Sequence, residues 1–180
     1  MQVEETKIPA VKKITHPVHE DDRGYFQEIY HREKALENEL EVNFVQDNFS
    51  KSCGNVLRGL HYQLNQPQGK LVQAISGKIL DVAVDIRRGS PTFGDWVGVQ
   101  LAEGTGCQLY IPEGFAHGFY TYTDETRVLY KCTGHYDAED DRGIRWNDPQ
   151  LDIDWPAEAP ILSKKDRELP PLGKAKLFEK

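Results

Sequence analysis

The run Arg58-Gly59-Leu60-His61-Tyr62-Gln63, followed by Gly69-Lys70, sets a potential general base between two fixed cations. Imidazole changes charge near neutral pH, so His61 is suited to taking a proton at working pH. Loss of a proton beside a ketone leaves an enolate, and Lys70 is a cation that could stand where the enolate oxygen forms. Inversion at that carbon also needs a proton donor on the opposite face, and Tyr130 can be that acid. A second imidazole, His117, lies in the glycine-bracketed stretch from Pro112 to Phe119. Arg23, Arg58 and Lys165 could hold an anion, the arginines through the two-pronged bond that suits a diphosphate. An aromatic such as Phe26 or Tyr136 beside such a site could stack on a base. The plain alternatives are a structural histidine, a core tyrosine bonded to backbone, and solvated surface cations. The nearness of Lys70 to His61 favours acid–base chemistry on an anionic substrate.

Histidines on a small β-fold also raise the question of a metal. Metal-dependent cupins take ligands from a His-x-His pair and a nearby Glu on one strand. Here the pair position holds His61-Tyr62-Gln63, and no Glu occurs between Lys51 and Glu103. His61 and His117 alone fall short of a stable ligand set, so neither a metal nor another cofactor is expected.

Short strands must carry these groups. Residues 42–50, 56–63, 70–75, 79–86, 96–101, 108–111, 117–122 and 127–133 read as strands. Ser76-Gly77, Gly89-Ser90-Pro91, Gly104-Thr105-Gly106 and Thr123-Asp124 punctuate them. One helix is expected over 32–40, rich in Glu, Lys and Leu. The tail after Trp155-Pro156, with Pro160, Pro170 and Pro171, should be mostly irregular. The fold class is therefore all-β, a sandwich or barrel such as a jelly roll.

Alternation then sorts side chains by face. Leu80, Val82, Val84 and Ile86 share one side of their strand, and Asp81 and Asp85 the other. Gln46 and Asn48 are expected beside Phe44, and Tyr130 beside Val128 and Cys132. Arg58 and His61, three apart, take opposite faces of a regular strand. They can share a pocket only if the strand bulges or bends near Gly59.

The 180 residues contain no linker-like or low-complexity stretch, which predicts one domain over 1–180. A chain of this size can bury roughly 70% of its extended surface and needs no staple to fold. The 22 basic and 29 acidic residues leave a net charge of −7, which argues against a nucleic-acid polymer as partner. Cys53, Cys107 and Cys132 are odd in number and lack CxxC spacing, pointing to reduced thiols in a cytoplasm. Residues 1–13 are charged, and no long apolar run occurs, so neither export nor a membrane is expected.

These residues amount to a family likeness. The chain resembles dTDP-4-dehydrorhamnose 3,5-epimerases over about residues 8–171. The likeness rests on Asp22-Arg23-Gly24-Tyr25-Phe26-Gln27-Glu28, Val45-Gln46-Asp47-Asn48, the stretch from Arg58 to Gln63, and Gln68-Gly69-Lys70-Leu71-Val72. It continues through Asp81 to Arg87, Ser90 to Gly94, Ile111 to Phe119, Tyr130-Lys131, Trp146-Asn147-Asp148-Pro149 and Leu162-Ser163-Lys164-Lys165-Asp166. The resemblance implies a metal-free cupin-type jelly-roll barrel and a homodimer that exchanges its N-terminal strand. It implies His61 as base paired with Asp166, Lys70 as the enolate's cation and Tyr130 as proton donor. Gln46, Asn48, Arg58, His117 and Lys165 would hold the nucleotide diphosphate and sugar. Arg23, Phe26 and Glu28 would reach in from the exchanged strand, and Tyr136 would stack on thymine. Asp141 would also bind, standing where the family usually has Glu. The implied substrate is a dTDP-4-keto-6-deoxy sugar of dTDP-L-rhamnose biosynthesis. A related 3-epimerase, a nucleotide-sugar ketoisomerase, a non-catalytic sugar-nucleotide binder and a metal-dependent oxygenase are the alternatives.

Overall fold

The strand pattern resolves into antiparallel sheets, in a computed structural model that describes residues 1–40 and 42–179. One sheet has six strands in the order β1 (Gln2–Glu5), β2 (Lys12–Thr15), β10 (Cys107–Ile111), β7 (Lys70–Ser76), β12 (Thr126–Cys132) and β5 (Gln46–Ser52). The other has five: β13 (Asp141–Gly143), β6 (Leu57–Gln63), β11 (Phe115–Thr121), β8 (Lys78–Asp85) and β9 (Trp96–Ala102). A separate hairpin pairs β3 (Val18–Asp21) with β4 (Gly24–Gln27). The two large sheets stack face to face. Val72, Ala74, Leu109 and Val128 of the first meet Ile79, Ala83, Val97, Leu101, Phe115 and Phe119 of the second in a common core.

The class is all-β, as expected, but the layers do not close into a continuous barrel. Strand β9 packs against β7 and β10 without a hydrogen-bonded ladder among the described residues. A second core lies behind the five-stranded sheet. There Leu80, Val82, Val84 and Ile86 pack against Ile144, Leu151, Leu172, Ala175 and Leu177. The tail is mostly irregular, yet its apolar residues cover that sheet. Burying a leucine contributes about 2 kcal/mol, so Leu172, which opens a short 3-10 turn (Leu172–Lys174), and Leu177 beyond it anchor the chain.

A third cluster covers the outer face of the six-stranded sheet, where Ile14 and Leu71 meet Ala35, Leu40, Tyr30 and Phe44. This corrects one expectation. Phe44 lies before the first paired residue of β5, Gln46, so alternation does not extend to it. It packs outside against Tyr30, ring centres 5.2 Å apart, while Gln46 and Asn48 face the opposite way. The expected helix is shorter than 32–40: α1 spans Arg32–Glu37 and gives way to Glu39 at φ 60°. Strands β1 to β3 and β13 escaped the pattern because their residues are largely charged or exposed, whereas β4 is the aromatic strand that follows the turn at Asp22-Arg23.

Candidate active site

Strand register builds one wall of the site. Pairing of β12 sets Tyr130 opposite Asn48 and Cys132 opposite Gln46 on β5. On its other side Tyr130 faces Val72, and Cys132 faces Lys70, on β7. Two adjacent rows therefore cross the six-stranded sheet, Gln46–Cys132–Lys70 and Asn48–Tyr130–Val72. Alternation turns all six side chains to the same face. Gln46 donates to Asn48 at 3.0 Å, which holds the two amides together at the sheet's free edge.

The facing wall comes from β6 and β11. His61 pairs with His117 and Arg58 with Phe119, so β6 uses one more residue than β11 over the same interval. This is the bulge that the three-residue spacing requires, and it lets Arg58 and His61 line one cavity. Gly59 makes the irregularity with φ 128°, and the Gly59–Leu60 peptide bond is cis. A β-carbon at Gly59 would lie 2.5 Å from Gly118 Cα and 2.8 Å from the His117 carbonyl oxygen. Only hydrogen fits there.

Between the walls lie two adjoining cavities of about 280 and 290 Å³, both lined by His61, Lys70, Tyr130, Tyr136 and Asp141. Gln46, Asn48, Tyr62, Gln63 and Gln68 complete the first; Ser50, Arg58, His117, Phe119, Lys165 and Asp166 are among the residues that line the second. His61 Nε2 lies 2.5 Å from Asp166 Oδ1. Asp166 belongs to α2 (Lys164–Arg167), which the tail brings against β6. The approach is fixed just upstream, where Leu57 donates to the Ile161 carbonyl at 3.0 Å and Ile161 to that of Asn55 at 2.7 Å. Burial alone would raise the Asp166 carboxyl. Bonds from His61 and Ser163, with the charges of His61 and Lys165, outweigh it and hold the group below its ordinary value.

Lys70 is buried, and desolvation lowers its proton affinity despite the acidic groups Cys132, Asp141 and Asp81 around it. Burial likewise raises the Tyr130 hydroxyl, so the phenol keeps its proton at neutral pH. His117 Nε2 lies 2.7 Å from fully buried Asp81. Desolvation pushes this imidazole down more than Asp81 pulls it up. Arg58 donates to the Ser52 hydroxyl at 3.1 Å and the Lys51 carbonyl at 3.2 Å, which aims its guanidinium. At the mouth, Asp141 accepts from Lys165 and, at 3.0 Å, from the Tyr136 hydroxyl.

Arg23, Phe26 and Glu28 do not join these cavities within the chain. Arg23 and Phe26 line a cleft of the β3–β4 hairpin, and Glu28 pairs with Lys34 at 2.7 Å. Gln63, where a metal cupin has its second histidine, donates to the carbonyls of Gln66 and His135 and accepts from the Asp137 amide. Its amide braces the loop that carries Tyr136. No three His, Cys, Asp or Glu side chains among the described residues form a metal-binding group. Several residues escaped the sequence reading: Asp81 beneath His117, Ser52 behind Arg58, Ser50 in the cavity wall and Ser163 behind Asp166. Only Ser163 left a signal, the Ser-x-x-Asp spacing of a helix start.

Acid–base groups on facing walls of an all-β fold, ringed by cations and amides, define an enzyme that moves protons on a small anionic substrate. The model of the dTDP-4-dehydrorhamnose 3,5-epimerase family matches residues 5–174. The chain is 51% identical over 170 residues to the dTDP-4-dehydrorhamnose 3,5-epimerase of Methanothermobacter thermautotrophicus, covering 93% of this chain and 92% of that one. It is also 51% identical over 171 residues to the same enzyme of Pseudomonas aeruginosa, with 93% and 94% covered. The crystal structure of dTDP-6-deoxy-D-glucose-3,5-epimerase from Legionella pneumophila, in complex with dTDP-4-keto-L-rhamnose, superposes with a TM-score of 0.96 at 45% identity, covering 99% of this chain and 98% of that one. The chain belongs to the dTDP-4-dehydrorhamnose 3,5-epimerase family.

Proposed function

We propose that this chain inverts C3 and C5 of dTDP-4-dehydro-6-deoxy-D-glucose, giving dTDP-4-dehydro-L-rhamnose for dTDP-L-rhamnose biosynthesis. The observation that carries the assignment is the placement of His61 and Tyr130 on opposite sheets around one cavity, with Lys70 in the lining on the strand next to that of Tyr130. Asp166 occupies Nε2 of His61, which leaves Nδ1 as the base. Nδ1 takes the proton from the carbon next to the C4 ketone. The electron pair moves to the ketone oxygen, and the Lys70 ammonium stabilises the enolate. Tyr130 then delivers a proton to the opposite face, and the centre inverts. Solvent reprotonates Tyr130 and deprotonates His61 before the second carbon reacts.

Arg58, His117 and Lys165 are suited to the diphosphate and sugar, with Gln46 and Asn48 as amide contacts. Tyr136, 56% exposed at the mouth, offers a stacking face to thymine, and Asp141 orients it. The active unit is a homodimer with exchanged N-terminal hairpins. Its support is a hairpin whose Phe26 is 70% exposed and a sheet-edge strand, β5, whose Phe49 is 61% exposed. In that dimer Arg23, Phe26 and Glu28 enter the partner's cavity. Three free cysteines support a reducing, cytoplasmic setting, and no helix among the described residues is long and apolar enough to cross a membrane.

Substituting His61→Ala tests the base. Turnover should fall by about a thousandfold, while dTDP affinity, measured calorimetrically, stays near wild type. Turnover that survives the substitution would remove His61 from the mechanism.

A further inference from the structure

We propose that Ser163 is a positioning residue for the catalytic base, the outer member of a chain Ser163–Asp166–His61; this rests on His61 being that base. Ser163 begins α2, and its Oγ accepts the Asp166 amide hydrogen at 3.0 Å. The same hydroxyl donates to Asp166 Oδ2 at 2.8 Å. The other carboxylate oxygen, Oδ1, faces His61 Nε2 at 2.5 Å. One hydroxyl thus ties down both the backbone and the carboxylate plane of Asp166.

Two facts make the second bond more than a helix cap. The Asp166 side chain is 4% exposed, so its charge has lost water and depends on the donors that replace it. Asp166 also sits on a helix of four residues in an otherwise irregular tail, and so short a segment cannot hold a side chain rigid by itself. His61 and Ser163 bond its two oxygens from opposite sides. With Oδ2 released, the carboxylate can rotate about χ2 and the imidazole loses a fixed partner. Ser163 itself lines the cavity beside His61 and Lys165.

Capping and positioning make different demands on the residue. A glycine at a helix start costs only a few tenths of a kcal/mol relative to serine, so Ser163→Gly keeps α2 while removing the hydroxyl. Threonine keeps the hydroxyl in full. The test is the pH dependence of kcat and kcat/KM for wild type, Ser163→Gly, Ser163→Ala and Ser163→Thr, with Asp166→Asn as reference. Ser163→Gly and Ser163→Ala should lower kcat about ten- to a hundredfold with KM nearly unchanged. They should also move the acidic limb of kcat/KM to higher pH, because the Asp166 carboxylate, having lost the Ser163 donor that lowers it, takes up a proton more readily. Ser163→Thr should restore both. Wild-type kcat and an unmoved limb in Ser163→Gly would overturn the proposal, as would a folded Ser163→Thr that fails to recover. If His61→Ala keeps its turnover, the assignment of the base fails instead, whereas a silent Asp166→Asn overturns the chain from Ser163 to His61. If Asp166→Asn is inactive while the Ser163 variants are not, only the role of Ser163 is lost.

Discussion

His61 gains its chemistry from what occupies its far nitrogen. Asp166 holds the ring through Nε2; in the proposed mechanism that contact leaves Nδ1 as the base and stabilises the imidazolium that forms. Burial raises the Tyr130 hydroxyl, which suits it to the proton-donor role proposed for it. These two settings are complementary, one group poised to accept and the other to give. Substituting Tyr130→Phe separates them. The base can still remove a proton and return solvent deuterium to the same face, so exchange should continue while inversion falls by about a hundredfold or more. Proton NMR in D2O reads both at once, and inversion at the wild-type rate would exclude Tyr130 as the acid.

Strands place these side chains, and their regular pairing was legible in the sequence wherever one face is apolar. Tyr130 with Val128 and Cys132, and Gln46 with Asn48, follow from alternation alone. The bulge at Gly59 was legible from the spacing of Arg58 and His61 and from the glycine between them, and the β11 register bears it out. Other features were hidden for physical reasons. Asp81 and Asp85 are fully buried because the apolar side of β8 is claimed by the tail, which turns the carboxylates inward onto His117 and onto Arg87, Ser90 and Thr92. Asp166 could not be read from spacing because it reaches His61 across 105 residues. The family likeness raised it, and the docking of Leu172 and Leu177 explains how an irregular tail can hold it. Gly59→Ala tests the bulge directly. The positive φ alone costs at least about 1–3 kcal/mol, and the contacts with Gly118 and His117 add to it. Tm should fall by about 5 °C or more, with turnover lost through separation of Arg58 from His61. A variant as stable and active as wild type would show that the bulge does not hold them.

The chain as a whole carries a net charge of −7, yet its cavities gather Arg58, Lys70 and Lys165. A local cationic patch on an acidic protein concentrates an anionic sugar nucleotide. Exchange of the hairpins would add the partner's Arg23, and complementation tests that arrangement. His61→Ala and Arg23→Glu dimers should each be nearly inactive. After subunit exchange at equal concentrations, about a quarter of wild-type turnover should return, because each mixed dimer recovers one intact site. No recovery in demonstrably mixed dimers would place Arg23 outside the partner's site. Two inversions through one pair of groups are tested most directly by isotope uptake. Incubation of dTDP-4-dehydro-6-deoxy-D-glucose with the enzyme in D2O should place deuterium at both C3 and C5 of an L-rhamno product, followed by proton NMR. Deuterium at C3 alone, or product formed with no uptake, would contradict it.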